Sequence, residues 1–252
     1  MQARNYFGLG FLPLLFAFCP SAFGVSYSWN FASSGLQANA TCIPSGRNSC
    51  AGNSMTFSSN GVTATATAWY FGGSGTLQSA TLNQYSSGLG VCNPTESCTG
   101  FGSASNQEVD DNGNDEFILF TFTKPINPTS ITIKSPTGGG LGVSYWLGSA
   151  ANQPTSLTGS DVAALSNLGF GSQTDAKGGI GGTVNFGGPP TTSVNAILFG
   201  ARYGYNGDNF DIIGLTGTPV GGSLPEPTSI FLLFTAALAA FGLSRRTHRP
   251  HP

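Results

Sequence analysis

Histidine and charge are the two features that this sequence has least of. The chain has 252 residues, and its two histidines, His248 and His251, stand at its very end. A Ser-His-Asp triad, a Cys-His pair and a histidine-ligated zinc site therefore have no histidine to use in the body of the chain. Charged residues make up 8% of the chain, against about 25% in ordinary globular domains. The net charge of −2 provides no basic surface for nucleic acid.

Apolar residues are sufficient for a folded core, at 39% of the chain. Disordered chains combine low hydrophobicity with high net charge, so this composition argues against disorder. Residues 25–224 carry five basic and ten acidic residues, a net charge of −5. We therefore expect the body of the chain to be a mildly acidic folded domain.

The N-terminus has the three parts of a secretory signal peptide. Arg4 supplies the positive region, residues 6–18 are a largely apolar run, and residues 22–24 place small residues before a cleavage site at Val25. We predict a signal peptide over residues 1–24. A buried N-terminal helix is one alternative. A lipoprotein signal with a lipidated Cys19 is another, and the phenylalanine directly before that cysteine disfavours it.

The C-terminus also has three parts in a fixed order. A glycine-rich linker over residues 217–224 leads to Pro225-Glu226-Pro227, and residues 228–243 carry no charge. A bilayer span needs about 20 apolar residues, so the transmembrane helix predicted here is short. Three arginines follow it, Arg245, Arg246 and Arg249. The positive-inside rule would keep them in the cytoplasm.

Residues 225–252, with Leu224 before them and Thr228 after the tripeptide, resemble a PEP-CTERM sorting signal. Signals of this family occur in Gram-negative bacteria that make extracellular polysaccharide, and the membrane enzyme exosortase processes them. The resemblance implies an exported protein that the C-terminal helix anchors transiently in the inner membrane before delivery to the cell surface or the biofilm matrix. A sortase signal is the alternative, but Pro227 stands where that signal requires threonine.

The body of the chain, residues 25–216, is predicted to be a single all-β domain. Residues 62–69 alternate strictly, with valine and alanine side chains on one face and three threonines on the other, which is typical of a strand with one buried face. Residues 117–123 begin apolar on both faces, so we expect a central strand there. The other predicted strands are 26–31, 54–58, 77–83, 130–134, 141–147, 183–186, 193–202 and 209–215. Frequent turn residues between these strands favour an antiparallel β-sandwich or jelly roll.

One short helix is predicted within this domain, over residues 160–168. Ser160 or Asp161 would cap its start, and Gly169 would end it. Alternating strand–helix units and sequence repeats are not evident, so a second domain is not expected.

A second, scattered resemblance covers much of residues 60–216. The segments Gly88–Val91, Glu108–Phe122 and Asp208–Phe210 are similar to exosortase-dependent surface proteins. Those proteins carry Gly-Leu-Gly-Val, then Val-Asp-Asn, then Asp-Phe-Val-Leu-Phe, and they often have histidine where this chain has Glu108. Because such proteins are defined largely by their sorting signal, the resemblance implies little about molecular activity.

Four cysteines follow the predicted signal peptide, namely Cys42, Cys50, Cys92 and Cys98. An even number in an exported chain predicts disulfides, and three pairings are possible. We favour Cys42–Cys50 and Cys92–Cys98, because sequence neighbours joined by short polar loops can meet without long-range order. A metal site is the alternative, although no Cys-x-x-Cys spacing occurs.

Five of the ten acidic residues in the body fall between Glu108 and Glu116. So many carboxylates repel one another unless a cation neutralises them, which makes calcium the candidate cofactor. The spacing resembles the start of a calcium loop, but threonine stands where the bidentate glutamate of an EF-hand belongs. A looser site completed by Asp208 and Asp211 is one interpretation of this segment. Its candidate ligands in the loop are Asp110, Asn112, Asn114, Asp115 and Glu116.

The interpretation that the sequence favours over a calcium site is a solvated acidic turn leading into the strand at residue 117, and a catalytic carboxylate pair is a further alternative. Glycoside hydrolysis needs two carboxylates held about 5–9 Å apart. The candidates for such a pair are Glu108, Asp110, Asp111, Asp115, Glu116, Asp161, Asp175, Asp208 and Asp211.

The sequence thus predicts an exported, non-enzymatic surface protein whose partners are exosortase and, through its setting, extracellular polysaccharide. The first alternative is a calcium-assisted carbohydrate-binding module, and the second is a polysaccharide hydrolase. Aromatic side chains would stack on sugar rings if they were exposed, but at strand spacing we expect most of them in the core. The aromatic candidates are Trp29, Trp69, Tyr70, Trp146, Tyr203 and Tyr205.

Overall fold

A computed structural model describes the body of the chain. The described residues are 25–32, 43–45, 49–96, 108–149, 156–179, 182–187 and 193–220, with residues 43–45 and 49–50 described by their backbone alone. Residues 25–221 form one compact unit. The predicted signal peptide and sorting signal lie outside the described residues.

The described residues form fifteen strands and one short 3-10 helix. The strands are β1 (Tyr27–Asn30), β2 (Ile43–Ser45), β3 (Ser49–Gly52), β4 (Ser54–Ser59), β5 (Val62–Phe71), β6 (Leu77–Ser79), β7 (Thr81–Tyr85), β8 (Gly88–Cys92), β9 (Val109–Asp110), β10 (Glu116–Lys134), β11 (Gly142–Gly148), β12 (Thr174–Lys177), β13 (Thr183–Asn185), β14 (Val194–Ala201) and β15 (Asn209–Pro219). The predicted all-β class is therefore confirmed for this part of the chain.

The named strands pair with one another in antiparallel fashion. The longest path through the sheet runs β12-β11-β14-β10-β15-β8-β7-β3-β2. Strands β1 and β9 pair with β15, while β13 and β5 pair with β10. Strands β10 and β15 are therefore the elements on which most of the sheet is assembled.

Strand β10 is where the structure differs most from the predicted pattern. The two strands predicted at 117–123 and 130–134 are one continuous strand. Its first half pairs with β5 and β14, and its second half pairs with β15 and β13. Pro125 and Pro128 lie between the two predicted strands, and proline donates no ladder hydrogen bond. The strand continues through them, and its register shifts against both β14 and β15 in this stretch.

The start of β10 is buried on both faces, as predicted for a central strand. Ile118, Phe120 and Phe122 belong to the larger of two apolar clusters, while Phe117 and Leu119 belong to the smaller. Alternate residues of a strand point to opposite faces of its sheet. One strand therefore contributes to both parts of the core.

The predicted helix at 160–168 is wrong in type and length. The chain forms a 3-10 helix over Ala164–Leu168, after a turn in which Asp161 Oδ1 accepts a hydrogen bond from the backbone of Ala164 at 2.7 Å. Gly169 ends it in the left-handed conformation, with φ of 84°. Five residues are too few for a stable α-helix, whereas 3-10 turns are common as short connectors.

Five strands were not predicted, namely β2, β3, β8, β9 and β12. Each is short and contains glycine, proline, serine or charged residues, so local patterning does not mark it. The predicted linker also begins too early, because Gly217, Thr218 and Pro219 continue β15 and pair with β10.

Candidate metal centre

Eight of the ten acidic residues in the body gather in one region of the domain. Each either raises the pKa of another member by its charge or has its own pKa raised by one. They are Glu96, Glu108, Asp110, Asp111, Asp115, Glu116, Asp208 and Asp211. The pairing of β9 with the start of β15, which aligns Asp110 with Asn209, brings the 108–116 segment to the residues around 208.

Three of these carboxylates form a compact group, which we call the trio: Glu96, Asp110 and Glu116. One ligand oxygen from each lies within 4.8 Å of the others. Glu116 is 0% exposed and Asp110 is 3% exposed. Oxygen is the ligand atom that calcium prefers, and carboxylates are its common protein ligands. The trio is therefore the arrangement among the described residues best suited to hold a divalent cation.

The turn that follows β8 positions two members of the trio through Asn93. The Asn93 side chain, which is fully buried, donates from Nδ2 to Glu116 Oε1 at 3.0 Å. Its backbone N–H donates to Glu96 Oε2 at 3.4 Å. Its Oδ1 accepts from the backbone N–H of Thr95 at 2.9 Å, which shapes the turn. The backbone N–H of Asp110 donates to the other Glu116 oxygen at 3.2 Å.

Burial sets the electrostatics of the trio. Desolvation, followed by the charge of Glu96, raises the pKa of Asp110 to about 7. Desolvation also raises the pKa of Glu96 to about 7. The pKa of Glu116 is raised well above its ordinary value, first by burial and then by the charges of Glu96 and Asp110. Three carboxylates that resist ionisation together need either protons or a cation.

The structure brings together Asp110 and Glu116 from the predicted ligand set. Asn112 is exposed, and its backbone N–H donates to Asp110 Oδ1 at 3.0 Å. Asn114 donates from its amide to Thr95 Oγ1 at 3.0 Å. Asp115 Oδ2 accepts from the backbone N–H of Gly204 at 3.4 Å. These three residues therefore shape the loop, and the trio takes its third carboxylate from Glu96.

Glu96 was missed because nothing local marks it as a ligand. It lies twenty positions before Glu116 in the sequence. The nearest thing to a signal in the sequence is the run Asn93-Pro94-Thr95, a turn sequence that directly follows an apolar strand and leads to the Glu96 carboxylate. Only the pairing of strands far apart in the chain brings that turn to the start of β10.

The remaining acidic candidates have other surroundings. Glu108 is buried and accepts from Thr137 Oγ1 at 2.9 Å. Asp211 is buried on β15, and desolvation raises its pKa to about 7. Asp175 Oδ1 accepts from Ser144 Oγ at 2.6 Å, on β12. Asp161 holds the turn before the 3-10 helix, so neither Asp175 nor Asp161 belongs to the acidic region.

Cys92 is disulfide-bonded at the end of β8, immediately before Asn93. The other predicted partners, Cys42, Cys50 and Cys98, have side chains outside the described residues. The pairing therefore stays a prediction. A covalent link at this position would restrain the turn that carries Glu96.

The predicted sorting residues lie outside the described part of the chain, namely Pro225, Glu226, Pro227, Arg245 and Arg246. Among the described residues, no helix has the length and apolar character that a membrane crossing requires. The aromatic prediction is largely confirmed, because Trp29, Trp69, Tyr70 and Trp146 are buried. Tyr203 is half-buried, and Tyr205 is 52% exposed.

Comparison with known proteins does not supply a family. No protein-family model matches this chain, and no curated protein or solved structure matches it.

Proposed function

We propose that this chain is an exported, non-enzymatic surface protein of a Gram-negative bacterium, sorted by exosortase and associated with extracellular polysaccharide. Its two ends support this proposal, since a signal-peptide pattern precedes the domain and Pro225-Glu226-Pro227, an uncharged segment and arginines follow it. We infer further that the antiparallel sheet closes into a sandwich or jelly roll, which its two apolar clusters support.

We propose that the trio binds calcium as a structural ion of this domain. The observation that carries the proposal is the group of three carboxylate oxygens within 4.8 Å, two of them from almost fully buried residues. Burying ionised carboxylates is very costly unless an opposite charge compensates them. An exported domain meets calcium outside the cell, where millimolar concentrations suffice to fill weak sites.

The sorting proposal is tested by deleting residues 225–252 in the native host and following the domain by surface labelling. We expect surface display to be lost and the domain to be released or retained inside. The matched control deletes residues 250–252, which leaves the tripeptide, the uncharged segment and the arginines in place. Unchanged display after the larger deletion would refute the sorting signal.

The calcium proposal is tested by thermal melting of the full chain with calcium and with a chelator. Binding to the native state alone stabilises it by about 2.7 kcal/mol at a concentration of 100 Kd, so Tm should rise by several degrees. Glu116→Gln should shrink this rise, whereas Asp161→Asn, which keeps an oxygen for the Ala164 hydrogen bond, should leave it unchanged. An equal rise in both variants would contradict the assignment.

Calcium-assisted carbohydrate binding is a second candidate function, and one observation favours it. The Tyr205 ring is exposed, and the Arg202 guanidinium lies 3.7 Å from its centroid on one side. Arg202 thereby holds the ring in place, and an exposed aromatic face suits stacking on a sugar ring.

Native gels cast with a neutral polysaccharide, hydroxyethyl cellulose, test this candidate. Retardation of the full chain should be lost in Tyr205→Ala and kept in Val220→Ala, a change at another exposed apolar residue. Equal mobility of the two variants in the polysaccharide gel would remove the candidate.

A further inference from the structure

Two buried carboxylates outside the trio lie on a pair of adjoining loops. Asp111 follows β9 and is 2% exposed, while Asp208 precedes β15 and is 6% exposed. The backbone N–H of Asp111 donates to the Asp208 carbonyl at 3.2 Å. The two loops are therefore fixed against each other at the position of both side chains.

Each of these carboxylates uses one oxygen as a hydrogen-bond acceptor and leaves the other without a hydrogen-bond donor. Asp111 Oδ1 accepts hydrogen bonds from the backbone N–H groups of Gly207 and Asp208, at 2.6 and 3.0 Å. Asp208 Oδ1 accepts from the backbone N–H of Gly142 at 2.7 Å. The Oδ2 atoms of both residues are buried and have no hydrogen-bond partner. Such atoms are rare in native proteins and call for a bound ion or water.

The backbone packs tightly around Asp208 and keeps its carboxylate in place. A Cβ at Gly142 would meet both Asp208 carboxylate oxygens, and a Cβ at Gly140 would meet Asp208 Oδ1. The backbone N–H of Gly140 also donates to the Gly207 carbonyl at 2.8 Å. The Asp208 side chain therefore has little freedom to turn toward solvent, and a further partner of its Oδ2 atom would have to fit between the two loops.

The charges around this pair favour a divalent cation as that partner. Asp115 lies near enough for the Asp111 charge to raise its pKa, so three carboxylates share the region. Arg202 is the basic residue beside them, with Nε 3.5 Å from Asp208 Oδ2. At that distance the two groups form an ion pair, but the separation is longer than that of a typical N–H···O hydrogen bond. These three carboxylates and Arg202 sum to −2 when all are ionised, and Asp110, whose pKa the Asp111 charge also raises, adds to the negative charge nearby. A divalent cation would offset this charge.

We propose that Asp111 and Asp208 form a second divalent-cation site, separate from the trio, and that it takes calcium. Calcium accepts about six to eight oxygen ligands, including backbone carbonyls and waters. Two carboxylate oxygens on adjoining loops can therefore anchor it without a third side chain in direct contact. This inference goes beyond the proposed role of the trio and does not require it.

Isothermal titration of the full chain with calcium chloride tests the proposal by counting ions. We expect two ions per wild-type chain, one in Asp111→Asn, one in Glu116→Gln and none in the double variant. Asparagine keeps the oxygen that accepts from Gly207 and Asp208, so Asp111→Asn removes the charge but not the loop contacts. Asp161→Asn is the control and should bind two ions.

The outcomes separate this site from the trio. A single wild-type ion that Glu116→Gln removes and Asp111→Asn keeps overturns the second site and supports the trio. A single wild-type ion that Asp111→Asn removes and Glu116→Gln keeps supports the second site and refutes the trio. The absence of binding overturns both. If circular dichroism shows that Asp111→Asn does not fold, Asp208→Asn replaces it, since its amide oxygen can still accept from Gly142.

Discussion

At the scale of the residue, the unusual feature of this molecule is a fully buried glutamate at the start of its central strand. Ionisable side chains are almost never fully buried unless they are paired. Glu116 is 0% exposed, and its two oxygens accept from the Asn93 side chain and the Asp110 backbone. Those donors hold Glu116 in one orientation but do not neutralise the trio, so its charge has to be balanced by protons or by a cation.

Asn93→Ala should destabilise the protein and weaken its response to calcium. The change removes the donor to a buried carboxylate oxygen, and a buried group left unsatisfied costs about 1–3 kcal/mol. Asn93→Asp should destabilise the calcium-free protein further, because it adds a negative charge beside Glu116. Calcium should then restore more stability in Asn93→Asp than in Asn93→Ala.

Denaturant unfolding with calcium and with a chelator measures these effects. Asn112→Ala is the matched control, since Asn112 is exposed and its backbone N–H, which the change keeps, makes the bond to Asp110. Equal calcium responses in the two Asn93 variants would mean that Asn93 has only a general structural role. A lost response in Asn112→Ala would instead restore Asn112 as a ligand.

At the scale of the element, strands β5 and β10 show why the alternation of side chains in a strand can be predicted from the sequence, whereas the length of the strand cannot. The small residues of β5 lie opposite large residues of β10, for example Ala66 opposite Phe120. That alternation is local, so the sequence reveals it. Strand β10 continues past Pro125 and Pro128 because different strands accept its second half. Those partners come from distant parts of the chain and leave no local signal.

Ala66→Leu should destabilise the domain by roughly 1–3 kcal/mol, because added methylene groups overpack a core that is already filled. Ala66 is 0% exposed and belongs to the larger apolar cluster. Thr65→Val, on the opposite and half-buried face of the same strand, should change stability much less. Chemical denaturation of both variants measures the difference, and equal losses would argue against the assigned faces.

At the scale of the whole molecule, acidic charge is concentrated in one region of an otherwise weakly charged domain. Among the residues that the structure describes, Lys134 and Arg202 are the basic residues that act on this region, through Asp211 and Asp208 respectively. The excess of carboxylates disfavours the native state when they are ionised. Calcium binding, protonation or both should therefore control the stability of the domain as a whole.

Without calcium, the protein should become more stable as the pH falls from 8 to 6. Burial raises the pKa of Asp211 and Asp110 to about 7 each, above the values near 4 of the unfolded chain. The native state then binds more protons than the unfolded state in this window, so its stability falls as pH rises. This loss of stability is complete only above the pKa that the two carboxyl groups have in the native state.

Melting in a chelator at pH 8 and pH 6 measures this dependence, which should appear as a rise in Tm of several degrees at the lower pH. Asp211→Asn should reduce the difference, whereas Asp175→Asn, on β12 outside the acidic region, should preserve it. Saturating calcium should diminish the rise, because the ion competes with protons for the carboxylates. A Tm that falls on acidification in the chelator would contradict the assigned direction.

The sequence by itself determined the all-β class, the burial of both faces of residues 117–122, and the concentration of carboxylates between Glu108 and Glu116. These properties depend on side chains that are close together in the sequence, so the alternation of residue types and the local composition reveal them. Tertiary structure alone decided that Glu96 completes the trio and that Asp208 meets Asp111 instead of joining Asp110 and Glu116. The physical reason is that antiparallel pairing of distant strands, with its register, brings such residues together, and register depends on the whole sheet.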